Sequence, residues 1–544
     1  MPEILSVATT PFDDQRPGTS GLRKAVSRFA QPHYLENFVQ SLFDCLPDKA
    51  GKVLVVGGDG RFHNDVAIQT ILKMAAANGF GAVLVGQNGI LSTPAASHMI
   101  RKSGAFGGII LSASHNPGGP NGDFGIKYNG ANGGPAPESV TNAVFERSRS
   151  IDTYHVLDAA DVDLTQWGET RLGNMSVRIV DPVTDYADLM EALFDFAAIR
   201  SMLDGGFQFR FDAMHAVTGP YAREIFGKRL GVASSELLNC DPSPTFGDGH
   251  PDPNLVYCKH LLGAAMQDDG PDLCAASDGD GDRNLIIGKQ CFVAPSDSLA
   301  AITANAHLAP GYKQGVAGVA RSMPTSGAVD RVAKAMGIAS HETPTGWKFF
   351  GNLLDSGDIT LCGEESAGTG SSHVREKDGL WAVLMWLNIL AARGQSAKAV
   401  MEDHWRTYGR TYYARHDYEG VDAEGAASLM AALEKQFETL PGSATPAGTV
   451  SSADMFSYTD PVDGSVSGNQ GIRIFFDDGS RIVFRLSGTG TVGATVRVYL
   501  EQYEPKEGAL DRPVEAALEQ LVEAAATIAR IEHFTGRLRP DVIT

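Results

Sequence analysis

Positive charge is in short supply. Lys and Arg number 45 against 65 Asp and Glu, a formal net charge of −20 over 544 residues. That deficit argues against non-specific binding to nucleic acid or to an anionic membrane surface. It does not exclude a small anionic substrate, because a local site can oppose the global sign. Cysteine is scarce as well: the six are Cys45, Cys240, Cys258, Cys274, Cys291 and Cys362, with no C-x-x-C pair. This excludes a disulfide framework. Long apolar runs are missing. The most apolar helical stretch, residues 381–392, contains Asn388 and is too short to span a bilayer. The start, MPEILSVATTPFDD, has no basic n-region and no apolar h-region, so a cytoplasmic protein is expected. No G-x-x-x-x-G-K-[ST] loop occurs. Glycine is plentiful at 61 residues but follows no G-X-Y period, which points to many glycine-rich loops rather than to collagen.

What is there reads as a globular chain, 43% apolar and 20% charged. At roughly 150 residues per domain the length allows about three or four domains. Residues 53–56 form a short β-branched run that stops at Gly57-Gly58. Asn64 follows as a candidate N-cap, then Ala67, Ile68, Ile71, Leu72, Ala75 and Ala76 at helical spacing, with Asn78-Gly79 as the stop. Residues 83–85 are strand-like again, so a parallel βαβ unit is predicted. The same order recurs at a strand over 207–211 with a helix over 218–230. It recurs again at a strand over 315–320, the loop RSMPTSG and a helix ending near Gly337. The last part differs. Residues 472–476 and 481–486 flank Asp477-Asp478-Gly479-Ser480 as a hairpin, another strand covers 495–500, and a helix covers 514–530. The fold class is α/β: three similar mixed-sheet α/β domains and a C-terminal α+β domain around one central cleft. The expected boundaries give segments 1–190, 191–297, 298–407 and 408–544.

Four constellations carry chemistry. Ser112-Ala113-Ser114-His115-Asn116-Pro117-Gly118-Gly119 follows the apolar run 107–111, where open α/β sheets place their ligands. Ser114 stands where a nucleophile is useful. Adjacent side chains in extended backbone point apart, so His115 is not automatically its base. Taken alone, the segment reads as a polar turn before it reads as a site. Ser277-Asp278-Gly279-Asp280-Gly281-Asp282-Arg283 follows the apolar run 273–276. Its glycines let three carboxylates converge, and converging carboxylates repel unless a hard cation neutralises them. An EF-hand fails, because its glycine position holds Arg283 and its twelfth position Lys289. A solvated acidic turn is the plainer rival. Cys362-Gly363-Glu364-Glu365-Ser366-Ala367-Gly368 follows the strand-like 359–361 and suits sugar hydroxyls, though taken alone a polar turn is the better reading. Downstream, Arg375-Glu376-Lys377-Asp378 precedes a helix, a charged first turn of the kind that is usually solvated. Finally, Arg485-Leu486-Ser487-Gly488-Thr489-Gly490-Thr491, with Arg497, combines exposed backbone N–H groups, hydroxyls and guanidinium donors into a phosphate cradle. Residues 488–493 spell G-x-G-x-x-G, but the next residues alternate as a strand rather than open a helix, so a dinucleotide site is set aside. Together the four loops imply metal-assisted phosphoryl transfer on a sugar phosphate.

The chain resembles the α-D-phosphohexomutase superfamily, most closely its phosphoglucomutase branch. The resemblance runs essentially the full length, through PGTSGLRK, VVGGDGRF, GQNGILSTPA, SASHNPGGPNGDFGIKYN, HPDPNL, DGDGDRN, ARSMPTSGA, ETPTGWKFFGN, CGEESAGTGS, REKDGLWAVL and GSRIVFRLSGTG. It implies a phosphoryl group carried on Ser114 and Mg²⁺ held by Asp278, Asp280, Asp282 and a phosphoserine oxygen. Glucose 1-phosphate and glucose 6-phosphate would interconvert through glucose 1,6-bisphosphate, which is both intermediate and activator. Arg23 and Arg283 match positions beside the transferring group. Lys127 and Lys377 match positions for proton transfer or charge stabilisation, with His115 as a helper. Thr345, Gly346 and Trp347 match the sugar-contacting loop, Glu364 and Ser366 the groups that hold sugar hydroxyls. Arg485, Ser487, Thr489 and Arg497 match the grip on the phosphate that is not transferred. The partners implied are small sugar phosphates, with no nucleic acid and no membrane, and a monomer or weak homo-oligomer. A phosphomannomutase or another phosphohexomutase is the alternative; a phosphatase and a non-catalytic scaffold are the rivals outside that class. Two residues depart from the pattern: Ser112 where many relatives have Thr, and Ala367 where close relatives have Phe.

Overall fold

The computed structural model describes residues 2–487 and 493–544. They divide into two compact units. The first comprises Met1–Pro295, Asn305–Ala317 and Gly346–Lys398; the second comprises Ser296–Ala304, Gly318–Thr345 and Ala399–Thr544.

The first unit holds a seven-stranded mixed sheet in the order Leu22–Ala25, Asp123–Gly130, Gly107–Leu111, Val53–Gly58, Ala82–Ile90, Met175–Val180, Gly168–Leu172. The four strands from Gly107–Leu111 to Met175–Val180 run parallel, and antiparallel strands flank them on both sides. The predicted βαβ unit is present, with Val53 paired to Ala82 and Val56 to Val85. Its helix, Asn64–Ala77, buries Ala67, Ile68, Ile71, Leu72 and Ala75 as the spacing requires. The cap differs from expectation: the N-cap is His63 in the left-handed region (φ 78°), and Asn64 is already inside the helix. Asn64 instead turns its amide toward the Gly89 carbonyl at 3.5 Å.

A second mixed sheet runs Leu237–Leu238, Phe209–Asp212, Leu273–Ser277, Asn284–Gly288, Cys291–Val293. Phe209–Asp212 pairs in parallel with both neighbours, and the rest is antiparallel. The helix expected over 218–230 is α-helical over Thr218–Ala222 and then widens to a π-helix over Arg223–Arg229. The unit is completed by the antiparallel hairpin Leu361–Glu364 and Gly368–Ser371 and by the helix Gly379–Arg393. That helix is apolar all round and buried from Gly379 to Leu390, as an interior helix must be. The central strands Val53–Gly58, Gly107–Leu111 and Leu273–Ser277 are apolar runs buried apart from the half-buried Val53, so their carboxyl ends are where polar loops begin.

In the second unit, Gly318–Ser322 and Ala339–Thr343 pair in parallel around the helix Ala328–Met336, which stops at left-handed Gly337. A seven-stranded antiparallel sheet follows, in the order Ala444–Thr445, Gly448–Met455, Ile472–Phe476, Arg481–Ser487, Ala494–Glu504, Arg410–Val421, Val542–Ile543. The predicted hairpin, strand and C-terminal helix (Val514–Ala529) are all there. Leu518, Leu521 and Ala525 of that helix pack with Leu429 and Leu433 of Ala423–Glu434 on Ile474, Phe484 and Val498 of the sheet, an α+β core. No described helix is long and apolar enough to cross a membrane.

Candidate active site

The first unit gathers most of the predicted site residues around Ser114. The side chain sits at the carboxyl end of Gly107–Leu111 and is 1% exposed. Its backbone is left-handed, with φ 52°. This corrects the expectation of an extended segment. The kink brings His115 Nδ1 to 3.4 Å from Ser114 Oγ, where extended backbone would have sent the two side chains to opposite faces. For a residue with a Cβ this conformation costs about 1–2 kcal/mol and must be held from outside. Three contacts hold it. Ser112 Oγ accepts from the Ser114 amide at 2.7 Å, Arg61 Nη2 donates to the Ser114 carbonyl at 2.7 Å, and Ser114 Oγ donates to Asp278 Oδ2 at 2.9 Å. Arg61 is anchored in turn. Its Nε donates to both Asp59 oxygens (3.1 and 2.9 Å), its Nη1 to the Asp123 carbonyl (2.9 Å), and Phe246 lies beneath the guanidinium at 5.2 Å. Asp59 also accepts from Ser112 Oγ at 2.6 Å.

Asp278, Asp280 and Asp282 converge at the end of Leu273–Ser277. One carboxylate oxygen from each lies within 4.8 Å of the others, and all three residues are buried. This is the one such group of His, Cys, Asp or Glu among the described residues. Gly279 permits the approach of the two loops: a Cβ there would stand 2.3 Å from the Ser114 carbonyl oxygen. Asp278 Oδ1 accepts the backbone amides of Asp282 and Arg283 at 2.9 and 3.0 Å. Burial and then the charges of Asp282 and Asp280 push the Asp278 carboxyl well above its usual range. Burial pushes Asp280 the same way, but Lys127, the Thr93 hydroxyl (2.6 Å), Arg23 and Lys377 overcome it and hold that carboxyl below its usual range. Asp280 Oδ1 and Asp282 Oδ1 are shut off from solvent with no hydrogen-bond partner among the described residues. An all-oxygen donor set with buried lone pairs unused fits a hard divalent cation.

Cations ring the acids. Lys127 Nζ lies 3.7 Å from Asp280 and 3.4 Å from Glu376, which Asn129 also holds at 2.9 Å. Lys377 Nζ lies 3.5 Å from Asp282 and 3.7 Å from Glu364. Burial works against both ammonium groups, yet the neighbouring carboxylates win and raise both pKa values. The run 375–378 was expected to be a solvated first turn; it is buried throughout. Arg283 pairs with Asp252 at 3.2 Å. Arg23, on the strand Leu22–Ala25, lies in the field of Asp280 and Asp282. The Nε atoms of Arg23 and Arg283 are shielded from solvent without a partner among the described residues. His115 is held well below its usual pKa, first by burial and then by Arg283, Arg23 and Lys377, which favours the neutral imidazole while Ser114 is unphosphorylated.

Glu364 ends the strand Leu361–Glu364, and its Oε1 accepts the Gly346 amide at 3.0 Å. Trp347 is buried edge-on against Phe350. Ser366 is half-buried in the turn that follows Glu364. Ala367 adopts φ 70°, and its carbonyl accepts both the amide and the side chain of Asn284 at 3.0 Å.

Thr345, Arg485, Ser487 and Arg497 belong to the second unit. Thr345 Oγ1 is buried without a partner among the described residues. Arg485 and Arg497 are direct cross-strand partners, so two guanidinium groups share one face. Like charges placed opposite repel; an anion between them removes the penalty. Arg485 is steered by the Gln470 carbonyl (3.3 Å) and Tyr499 hydroxyl (3.4 Å), Arg497 by Asp417 (3.6 Å). Thr489 lies outside the described residues. Sequence reasoning gave no role to Asp59, Arg61, Thr93, Asp252 or Glu376. The signal was available for the first two, since they follow the carboxyl end of the strand Val53–Gly58.

Comparison with known proteins agrees in all parts of the chain. Residues 14–155, 184–290 and 295–408 match the family models "Phosphoglucomutase/phosphomannomutase, alpha/beta/alpha domain" I, II and III, and residues 410–541 match "Phosphoglucomutase-1, C-terminal domain". The architecture is thus four-domain. A phosphoglucomutase of Rhizobium radiobacter is 60% identical over 541 residues, covering 99% of this chain and 100% of that one. The cytoplasmic phosphoglucomutase of Pisum sativum is 51% identical, with 99% of each chain covered. A chloroplastic one from Solanum tuberosum is 52% identical, covering all of this chain and 88% of that one. Among solved structures, the open form of the Paramecium phosphoprotein pp63/parafusin, titled a phosphoglucomutase, superposes with a TM-score of 0.93 at 49% identity, covering 100% and 99% of the two chains.

Proposed function

The chain belongs to the phosphoglucomutase/phosphomannomutase family, and from that premise we propose that it reversibly interconverts α-D-glucose 1-phosphate and glucose 6-phosphate through a phosphoryl group carried on Ser114. The observation that supports the site assignment is the meeting, at one serine, of buried acceptors without donors (Asp280 and Asp282 Oδ1) and buried donors without acceptors (Arg23 and Arg283 Nε). Such a site calls for a cation and an anion together.

Asp278, Asp280 and Asp282 would hold Mg²⁺, which when bound offsets the charge of the phosphoryl oxygens next to Ser114. The protein's own groups do the rest. Arg23 and Arg283 hold the transferring phosphoryl group by their free Nε–H donors. Phosphorylated Ser114 gives that group to the free hydroxyl of the sugar phosphate: the P–O bond to Ser114 Oγ breaks, one to the sugar oxygen forms, and glucose 1,6-bisphosphate results. After the bisphosphate turns end for end, the other phosphoryl group returns to Ser114. In this return step Ser114 Oγ–H loses its proton to neutral His115, while the Lys377 ammonium protonates the leaving sugar oxygen; in the forward step, with the phosphoserine charge beside them, His115 is the imidazolium that returns a proton to Ser114 Oγ and Lys377 the amine that takes the proton of the sugar hydroxyl. Lys127 stays cationic and steadies Asp280 and Glu376. Glu364 and Ser366, with the 345–347 loop, read sugar hydroxyls in both orientations. Arg485 and Arg497, with Ser487 and Thr489, grip the phosphate that is not transferred. Ala367 in place of Phe leaves Glu364 and Ser366 as they are and bears on the packing beside the sugar loop and on the strictness for glucose. Location in the cytoplasm is the reading closest to the pea relative.

Initial rates on glucose 1-phosphate, mannose 1-phosphate and glucosamine 1-phosphate, with Mg²⁺ and glucose 1,6-bisphosphate present, test the proposal. Glucose 1-phosphate should lead by about tenfold or more, the discrimination available to a site built to bond particular hydroxyls. A lead for mannose 1-phosphate overturns the sugar assignment. Inorganic phosphate released in step with substrate consumed overturns the mutase reading itself.

A further inference from the structure

Behind Lys377 lies a chain of buried polar side chains that the phosphoryl-transfer scheme does not use. Trp381 Nε1 donates to Tyr312 OH at 2.7 Å. Tyr312 OH meets Ser371 Oγ at 2.5 Å, Ser371 Oγ meets His373 Nδ1 at 2.7 Å, and His373 Nε2 meets Asp378 Oδ2 at 2.9 Å. The other Asp378 oxygen accepts Tyr186 OH at 2.5 Å and the Trp381 amide at 3.0 Å. The His373 ring stacks on Trp381 at 5.5 Å and 17°. Only one assignment of protons satisfies every member. The indole N–H can only donate, so Tyr312 accepts it and passes its own proton toward Ser371. Ser371 donates to Nδ1, which leaves His373 neutral and protonated on Nε2, facing an ionised Asp378. Burial and Asp378 push the Tyr186 phenol well above its usual pKa, so it remains a donor.

Ser371, His373 and Asp378 have the connectivity of a hydrolytic triad but cannot act as one: Ser371 is 0% exposed and its hydroxyl is already spent between Tyr312 and His373. The chain leads instead to the reacting centre through the backbone. Asp378 follows Lys377 directly and caps the helix Gly379–Arg393. The Asp378 amide donates to the Thr369 carbonyl at 2.9 Å, and the Gly379 amide donates to the carbonyl of Gly281, between the two acids Asp280 and Asp282, at 3.0 Å. Gly379 is seated so tightly that a Cβ would stand 2.1 Å from the Arg283 carbonyl. Any shift of Asp378 is therefore passed to Lys377 on one side and to the acidic loop on the other.

We propose that His373, through Asp378, is a positioning residue for the reaction: the chain running from Trp381 to Asp378 fixes where Lys377 stands against Asp282 and Glu364. The proposal rests on the role given to Lys377 above. In a site that works by placement, an error near 1 Å costs up to about a hundredfold in rate. His373→Gln keeps a donor at the place of Nε2 and so keeps Asp378 in position. His373→Asn keeps a group at the place of Nδ1 and leaves Asp378 without that donor. The expected result is a kcat within about threefold of the parent for Gln and lower by about tenfold or more for Asn, with KM for glucose 1-phosphate unchanged in both. Tyr186→Phe removes the donor at the other Asp378 oxygen without burying a new polar group, and should also lower kcat alone. Equal kcat values for Gln and Asn, or losses that follow thermal stability or KM, overturn the proposal; so does a normal kcat in Tyr186→Phe should His373→Asn fail to fold. Lys377→Met is measured alongside. Near-parent turnover in that variant overturns the role of Lys377 itself. Low turnover there, with equal Gln and Asn variants, overturns only the positioning proposal.

Discussion

Replacing Arg61 by Met tests how Ser114 is held. The guanidinium and the Asp59 carboxylate are both 0% exposed. Met keeps the bulk of the stem and removes the charge. Asp59 then stands buried with the Ser112 hydroxyl and one backbone amide, and the carbonyls of Ser114 and Asp123 each lose a donor. Breaking a buried ion pair from one side costs about 3–5 kcal/mol, and the two orphaned carbonyls place this case at the upper end of that range. The rate should suffer separately. The left-handed backbone at Ser114 (φ 52°) is strained by about 1–2 kcal/mol. Without Arg61 it relaxes toward extended geometry and carries Oγ off Asp278, for a fall in kcat of about a hundredfold. Urea unfolding gives the stability change, with the slope checked for constancy; a coupled assay for glucose 6-phosphate gives kcat. Adding Asp59→Leu removes the uncompensated charge, so the double variant should regain most of the stability and none of the rate. A single variant within about 1 kcal/mol of the parent refutes the energetic reasoning. A double variant that regains its rate with its stability refutes the claim that Arg61 positions Ser114.

Other outcomes follow from the same geometry. Gly279→Ala puts a methyl 2.3 Å from the Ser114 carbonyl, so kcat should fall by about tenfold or more while the strand Arg410–Val421 of the second unit keeps its hydrogen-exchange protection. Ala367→Gly removes a Cβ from a φ of 70° and should stabilise by up to about 1 kcal/mol in thermal unfolding, with kcat unchanged. Asp297, paired with Trp405 at 3.2 Å, is pushed up to about 6 by burial, against the pull of Arg410. A carboxyl raised in the fold contributes stability below its unfolded value near 3.8, and loses it as pH rises through about 6. Asp297→Asn should therefore stabilise by up to about 3 kcal/mol in urea melts at pH 8 and by nothing at pH 3.5. A pH-independent difference would contradict the assignment.

Much of this was readable in the sequence because apolar runs announce where strands end. The runs before Ser114 and before Asp278 gave both loops, and the alternating residues after Gly493 form the predicted strand, Ala494–Glu504. What escaped has a common cause. Charged residues beside a helix start look solvated, yet Arg375, Glu376 and Lys377 are buried because partners from other parts of the chain neutralise them: Asp355 pairs with Arg375 at 2.5 Å, Lys127 with Glu376 from 249 residues away, and Asp282 with Lys377 at 3.5 Å. His63 caps a helix without using its side chain, in a left-handed conformation that no spacing rule signals. The reach of His115 to Ser114 depended on one backbone angle, and a positive φ at a serine is set by tertiary contacts, not by local preference.

The central claim is that Ser114 carries the phosphoryl group. Incubating the protein with glucose 1,6-bisphosphate, then reading intact mass and phosphopeptides, tests it most directly. The account predicts one added phosphoryl group on Ser114, removed again by glucose 6-phosphate, and none in Ser114→Ala, which should be folded and inactive. Full turnover in Ser114→Ala, or a phosphoryl group carried only at another residue, would contradict it.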